Sequence, residues 1–127
     1  MQHTAQPMLT REIYEQDMET WYLMHEGELL TGYVKVLDGD DEIDVSEIGV
    51  HPEHRRQGLA STLLKTVLAD YPDAPIVASL QPFVAQMEHW PFASPGLSLE
   101  ELKAWFTRLG FQHAPNDIEY DRMRRLP

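Results

Sequence analysis

The sequence predicts a mixed α/β (α+β) fold: an antiparallel meander at the N-terminus followed by a β-α-β-α-β-β end. Three observations predict it. Before residue 50, runs of strand-forming residues are separated by the turn signals Glu26-Gly27-Glu28 and Gly39-Asp40-Asp41. From Leu59 onward, apolar residues recur at helical spacing. A mostly apolar run at 75–80 follows that helix, and a strand, a helix and a strand in that order form a crossover with a locally parallel pair. At 127 residues the chain reads as one domain, 1–127. A chain of that size buries roughly two-thirds of its unfolded surface and needs no staple.

The elements follow in order. Residues 8–16 alternate weakly, as a half-buried strand does, although a short helix also fits. Residues 20–25, 29–37 and 43–50 are strands, and Pro52, with no N–H to donate, ends the last. Residues 59–71 form a helix with Leu59, Leu63 and Val67 on one row and Leu64 and Leu68 beside it. Tyr71-Pro72-Asp73 stops that helix, and the short strand 75–80 is apolar enough for burial on both faces. Residues 81–96 carry three prolines and the aromatics Phe83, Trp90 and Phe92, the composition of a long functional loop. Ser98 and Glu101 make a capping box for a helix over 99–109, and Gly110 is its natural stop. Residues 111–115 and 118–123 then read as a final strand pair.

Charge and composition narrow the function. Ten Lys and Arg against 21 Asp and Glu leave a net charge of −11, which repels a phosphate backbone and argues against nucleic acid as a partner. The same field favours a cationic partner such as an amine. With no cysteine there is no disulfide, no thiol nucleophile and no thiolate metal site. No apolar run approaches the roughly 20 residues of a membrane span. The N-terminus lacks a signal-peptide layout, so no membrane role and a cytoplasmic setting are the expectation. His51-x-x-His54 straddles a strand end and a loop rather than one helical face, so no metal is expected there. Arg122, Arg124 and Arg125 read as a solvated basic end.

The chemistry sits between the fourth strand and the first long helix. Arg55, Arg56, Gln57, Gly58, Leu59, Ala60 and Ser61 place two cations and a glycine where unpaired helix N–H groups and the helix dipole favour an anion. Gly58 lets a ligand approach the backbone, and Ala60 leaves room beside it. A pyrophosphate suits such a turn better than a single phosphate. A glycine-containing turn with two solvated arginines is the plain structural alternative.

Arg55-Arg56-Gln57-Gly58-Leu59-Ala60 resembles the (Gln/Arg)-x-x-Gly-x-(Gly/Ala) signature of the GNAT superfamily of N-acetyltransferases. The flanking Val50-His51-Pro52 and Ser61-Thr62-Leu63-Leu64 are similar too, as is Trp105-Phe106-Thr107-Arg108-Leu109-Gly110-Phe111 to the family's second motif. The resemblance covers roughly residues 20–125 and implies acetyl-CoA as co-substrate, with no metal. It implies that residues 55–60 cradle the pyrophosphate and that Ile48, Gly49 and Val50 pair with the pantetheine arm. The arm would lie where the two central parallel strands splay, with Gly49 giving close approach and the Val50 N–H facing the oxyanion. Phe106, which the resemblance counts among the cofactor-binding residues, stands where many members have a thiolate-protonating tyrosine, and the asparagine many carry before that helix is missing. The N-terminus also lacks room for the family's helices between the first two strands, so 81–96 is expected to wall the acceptor site.

Glu47, at the strand end, is the candidate general base. Tyr120 is the candidate acid, with Tyr71 the other tyrosine available. The expected acceptor is a primary amine of a small molecule, peptide N-terminus or lysine, and the reading leaves a homodimer open. A catalytically weak acyl-CoA sensor of the same fold is the alternative function, and a generic phosphate-binding domain the third.

Overall fold

The computed structural model describes residues 7–39, 41–54, 58–79, 99–113 and 122–127. Its strands are β1 Pro7–Tyr14, β2 Glu19–Glu26, β3 Leu29–Asp38, β4 Ile43–Val50, β5 Ile76–Ser79 and β6 Arg122–Arg125. Its helices are α1 Leu59–Asp70 and α2 Leu99–Arg108. The six strands lie in sequence order, antiparallel except for the parallel pair β4 and β5. The expected α+β architecture is therefore present, meander first and crossover second. Between β1 and β2 there is only a 3₁₀ turn, Glu15–Asp17, closed by Met18 with φ of 55°.

One face of the sheet carries the main core. Tyr22 and Met24 of β2, Val34 and Val36 of β3, and Ile43 and Val45 of β4 meet Leu63, Leu64 and Val67 of α1. These three helix side chains are completely buried, each stabilising the fold by about 1.5–3 kcal/mol. Leu102, Phe106, Phe111 and Met123 belong to the same cluster, so α2 and β6 join it. The sequence periodicity that marked α1 is thus the row that faces the sheet. On the other sheet face, Leu23 and Tyr33 form a smaller cluster with Trp21 and Leu30.

The chain end differs from expectation. β6 runs over Arg122–Arg125, and Gln112 alone makes a bridge, to Arg124, where a strand over 111–115 was expected. Residues 114–121, the heart of the expected pair, lie outside the described residues. The arginines are not a solvated face: all three are partly buried, and Arg124 sits 3.4 Å from Glu42. Met123 alone turns inward, and pairing with β5 rather than an apolar pattern makes this a strand.

Two bulges shape the region around the end of β4. In β3 the register with β2 shifts between Met24 and His25, leaving Thr31 extra. Thr31 donates its hydroxyl to the Met24 carbonyl at 3.1 Å, and its own carbonyl accepts the His51 N–H at 2.8 Å. In β4 the partner of Val36 is Val45 but that of Lys35 is Glu47, so Ser46 is the extra residue. The ladder from β4 to β5 covers only Ile43↔Ile76, Asp44↔Val77 and Val45↔Ala78. It stops at the bulge.

Candidate functional site

Beyond the bulge, β4 keeps β3 as its neighbour on one side. On the β5 side, residues 47–49 have no strand partner among the described residues. A bulged strand bends and twists, and here that leaves an open row of peptide groups leading toward the start of α1. The expected splay of the central strands is this feature. Ser46 lies at its root, its hydroxyl buried and without a hydrogen-bond partner among the described residues.

The row ends at a tied-down corner. His51 is buried, and its Nδ1 accepts the Glu53 N–H at 3.1 Å. His54 packs edge-on against it, with 3.5 Å between their Nδ1 atoms, and its Nε2 lies 3.3 Å from Glu26. No group of three potential metal ligands occurs among the described residues. With Glu26 and the Glu53 N–H as partners, the two histidines tie down the chain just past the end of β4.

Gly58 begins α1 with φ of 75°, a conformation costly to any residue with a Cβ. A Cβ placed there meets nothing within 4 Å among the described residues, so the left-handed backbone angle is what favours glycine here. No side chain among the described residues caps this helix end, and its first turn holds no acidic residue, in a chain with 21 of them. The first intrahelical bond is Thr62 N–H to the Gly58 carbonyl at 3.0 Å. The N–H groups of Leu59, Ala60 and Ser61 therefore face outward for an anion. Leu59 contributes only backbone, because its side chain is buried. Arg55, Arg56 and Gln57 lie outside the described residues, as do Tyr120 and residues 81–96.

Several expected site residues take on different meaning. The space above Gly49 is filled by the chain itself: a Cβ there would sit 2.4 Å from Cε1 of Tyr33, its cross-strand partner. Glycine is needed so that this ring can lie flat across β4. Tyr33 then donates its hydroxyl to Glu47 Oε2 at 3.1 Å. Burial first, and the Glu47 carboxylate second, push the Tyr33 phenol upward, so it remains a donor at neutral pH. Glu47 is half-buried and held by this bond. Sequence reasoning missed Tyr33, whose signal was a glycine with an aromatic facing it across a hairpin.

Phe106, expected against the cofactor, is completely buried, with Trp105 and Phe111 rings at 4.8 and 5.1 Å. Packing claims it, because a ring without a hydroxyl has nothing to place in a polar site. Ile48 and Val50 pack against the main core, so they offer backbone rather than side chains. Tyr71 packs at the far end of α1 against the same core. Ser61, in the first turn of α1, accepts a hydrogen bond from the Trp105 indole N–H at 3.0 Å.

Residues 16–113 match the family described as "Acetyltransferase (GNAT) domain". This chain belongs to the GNAT family. No curated protein matches the sequence of this GNAT chain. Solved structures agree on the fold. A GNAT-family protein from Desulfovibrio desulfuricans superposes with a TM-score of 0.63 at 13% identity, covering 94% of this chain and 96% of that one. A GNAT acetyltransferase from Elizabethkingia anophelis, solved with acetyl-CoA bound, gives 0.62 at 13% identity over 89% and 80% of the two chains. The PaiA N-acetyltransferase of Thermoplasma acidophilum, solved with coenzyme A, gives 0.59 at 11% identity over 86% and 61%.

Proposed function

We propose that this GNAT chain is an N-acetyltransferase, moving the acetyl group of acetyl-CoA to the primary amine of a small molecule or peptide. One observation carries the reading: the uncapped start of α1, free of acidic residues, stands at the end of an open β4 edge. That combination suits a ligand with a pyrophosphate at one end and an amide-bearing arm behind it. The relatives solved with coenzyme A and acetyl-CoA bound support the ligand class.

In the proposed reaction, the turn at 55–61 holds the pyrophosphate, with N–H groups and the two arginines as donors. The β4 edge lines up the arm and so positions the thioester, and positioning supplies much of the rate. Glu47 takes the proton of the attacking amine, directly or through water, and Tyr33 keeps that carboxylate in place. The amine nitrogen bonds to the thioester carbon, the C–S bond breaks, and the thiolate takes up a proton. Residue 106 cannot deliver it, because a phenyl ring has none to give; Tyr120 is the proposed donor.

The deciding assay follows thiol release from acetyl-CoA over a panel of amines. Glu47→Gln keeps shape and removes basicity, so turnover should fall about a hundredfold while CoA binding persists. The acidic limb of its rate–pH profile should vanish with it. Phe106 keeps a second reading in view, an acyl-CoA sensor without turnover. CoA binding in calorimetry with no thiol release across the panel would select the sensor.

A further inference from the structure

The indole of Trp105 is a hydrogen-bond donor with no acceptor atom. At 3.0 Å from Ser61 Oγ, it obliges that hydroxyl to accept, so the hydroxyl hydrogen must point elsewhere. Ser61 is the third residue of α1, in the turn whose N–H groups face outward. Trp105 reaches this turn from α2, 44 positions along the chain, with its ring tilted against the buried Phe106. The indole is thus anchored in the core and cannot follow a wandering serine. We propose that Trp105 is a positioning residue for the pyrophosphate: its N–H sets the Ser61 hydroxyl as a donor aimed at the anion, joining the family's two motifs. A free serine hydroxyl rotates and turns back to a helix carbonyl; this one is already oriented. The inference rests on the acetyl-CoA reading above.

The test uses Trp105→Phe, which keeps an aromatic ring and removes the N–H, together with Ser61→Ala and the double variant. Each single change should weaken CoA binding in calorimetry by about tenfold, the worth of one directed bond to a charged group. The double variant should be no weaker than Ser61→Ala alone. In the ³¹P spectrum of bound CoA, the diphosphate signals should shift alike in both single variants while the 3′-phosphate signal stays. If Trp105→Phe binds CoA like the parent, or costs as much in the Ser61→Ala background, the proposal is overturned and Trp105 only packs. Should Trp105→Phe unfold, Ser61→Ala alone decides, since unchanged affinity and unchanged diphosphate signals would overturn the proposal equally. A parent protein that binds no CoA at all would overturn the functional reading instead.

Discussion

Gly49 shows how a residue's reason can lie across the sheet rather than along the chain. Its sequence context suggests space for a ligand, yet the space belongs to Tyr33. Gly49→Ala should therefore displace that ring and destabilise the fold by roughly 1–3 kcal/mol, the usual cost of overpacking. Denaturant midpoints check this, and Tyr33→Leu in the same chain should recover part of the loss. Gly58 is the opposite case, with no described residue crowding it and a backbone angle that favours glycine. That a turn ends in this glycine at the start of α1 was legible in the sequence, because turn chemistry is local. The Tyr33–Glu47 and Trp105–Ser61 contacts were not, because 14 and 44 positions separate the partners and no periodicity records the pairing.

At the scale of elements, β2 to β5 and both helices were legible because turn signals and apolar periods set their limits. β6 was not, since Arg-Met-Arg-Arg has one inward apolar residue and owes its conformation to β5. The outer strand β1 is exposed along nearly its whole length and needs other attachments. Arg11 provides one: its guanidinium donates twice to Asp70 of α1, at 2.8 and 3.2 Å, and the Tyr22 hydroxyl donates to the same carboxylate at 2.7 Å. Burial works to raise the Asp70 pKa, but the bonds from Arg11 and Tyr22 outweigh it and hold it below the usual value. A carboxyl depressed in the folded state adds stability above its unfolded pKa, and loses it as pH falls through the folded one. Asp70→Asn should thus cost under about 1 kcal/mol at pH 7, as the pair is partly exposed. The gap between variant and parent should close below pH 4 in urea titrations.

Across the whole molecule, the net charge of −11 would act in opposite senses on the two reactants proposed for this chain. It would draw in a cationic amine and oppose an anionic acetyl donor, which would then have to rely on the local donors at the start of α1. Raising salt screens both effects. Steady-state kinetics should show the KM for a cationic amine rising with ionic strength, and the association rate of acetyl-CoA rising as well. A shared direction for both substrates' affinities would mean that local contacts outweigh the overall field. None of the helices among the described residues is long and apolar enough to cross a membrane.

Beyond the bulge at Ser46, residues 47–49 have no strand on the β5 side among the described residues. An interior sheet edge is a standing invitation to any extended chain, and proteins ordinarily guard such edges. Here the guard would be the reagent itself, filling the gap as a strand made of no amino acids. A reagent that binds the native form alone would, at a hundredfold excess over its Kd, add about 2.7 kcal/mol to the unfolding free energy. How long a copy of this protein survives in a cell would then follow how well that cell is fed, since starvation for acetyl donors would leave its sheet unfinished and its chain easier to degrade.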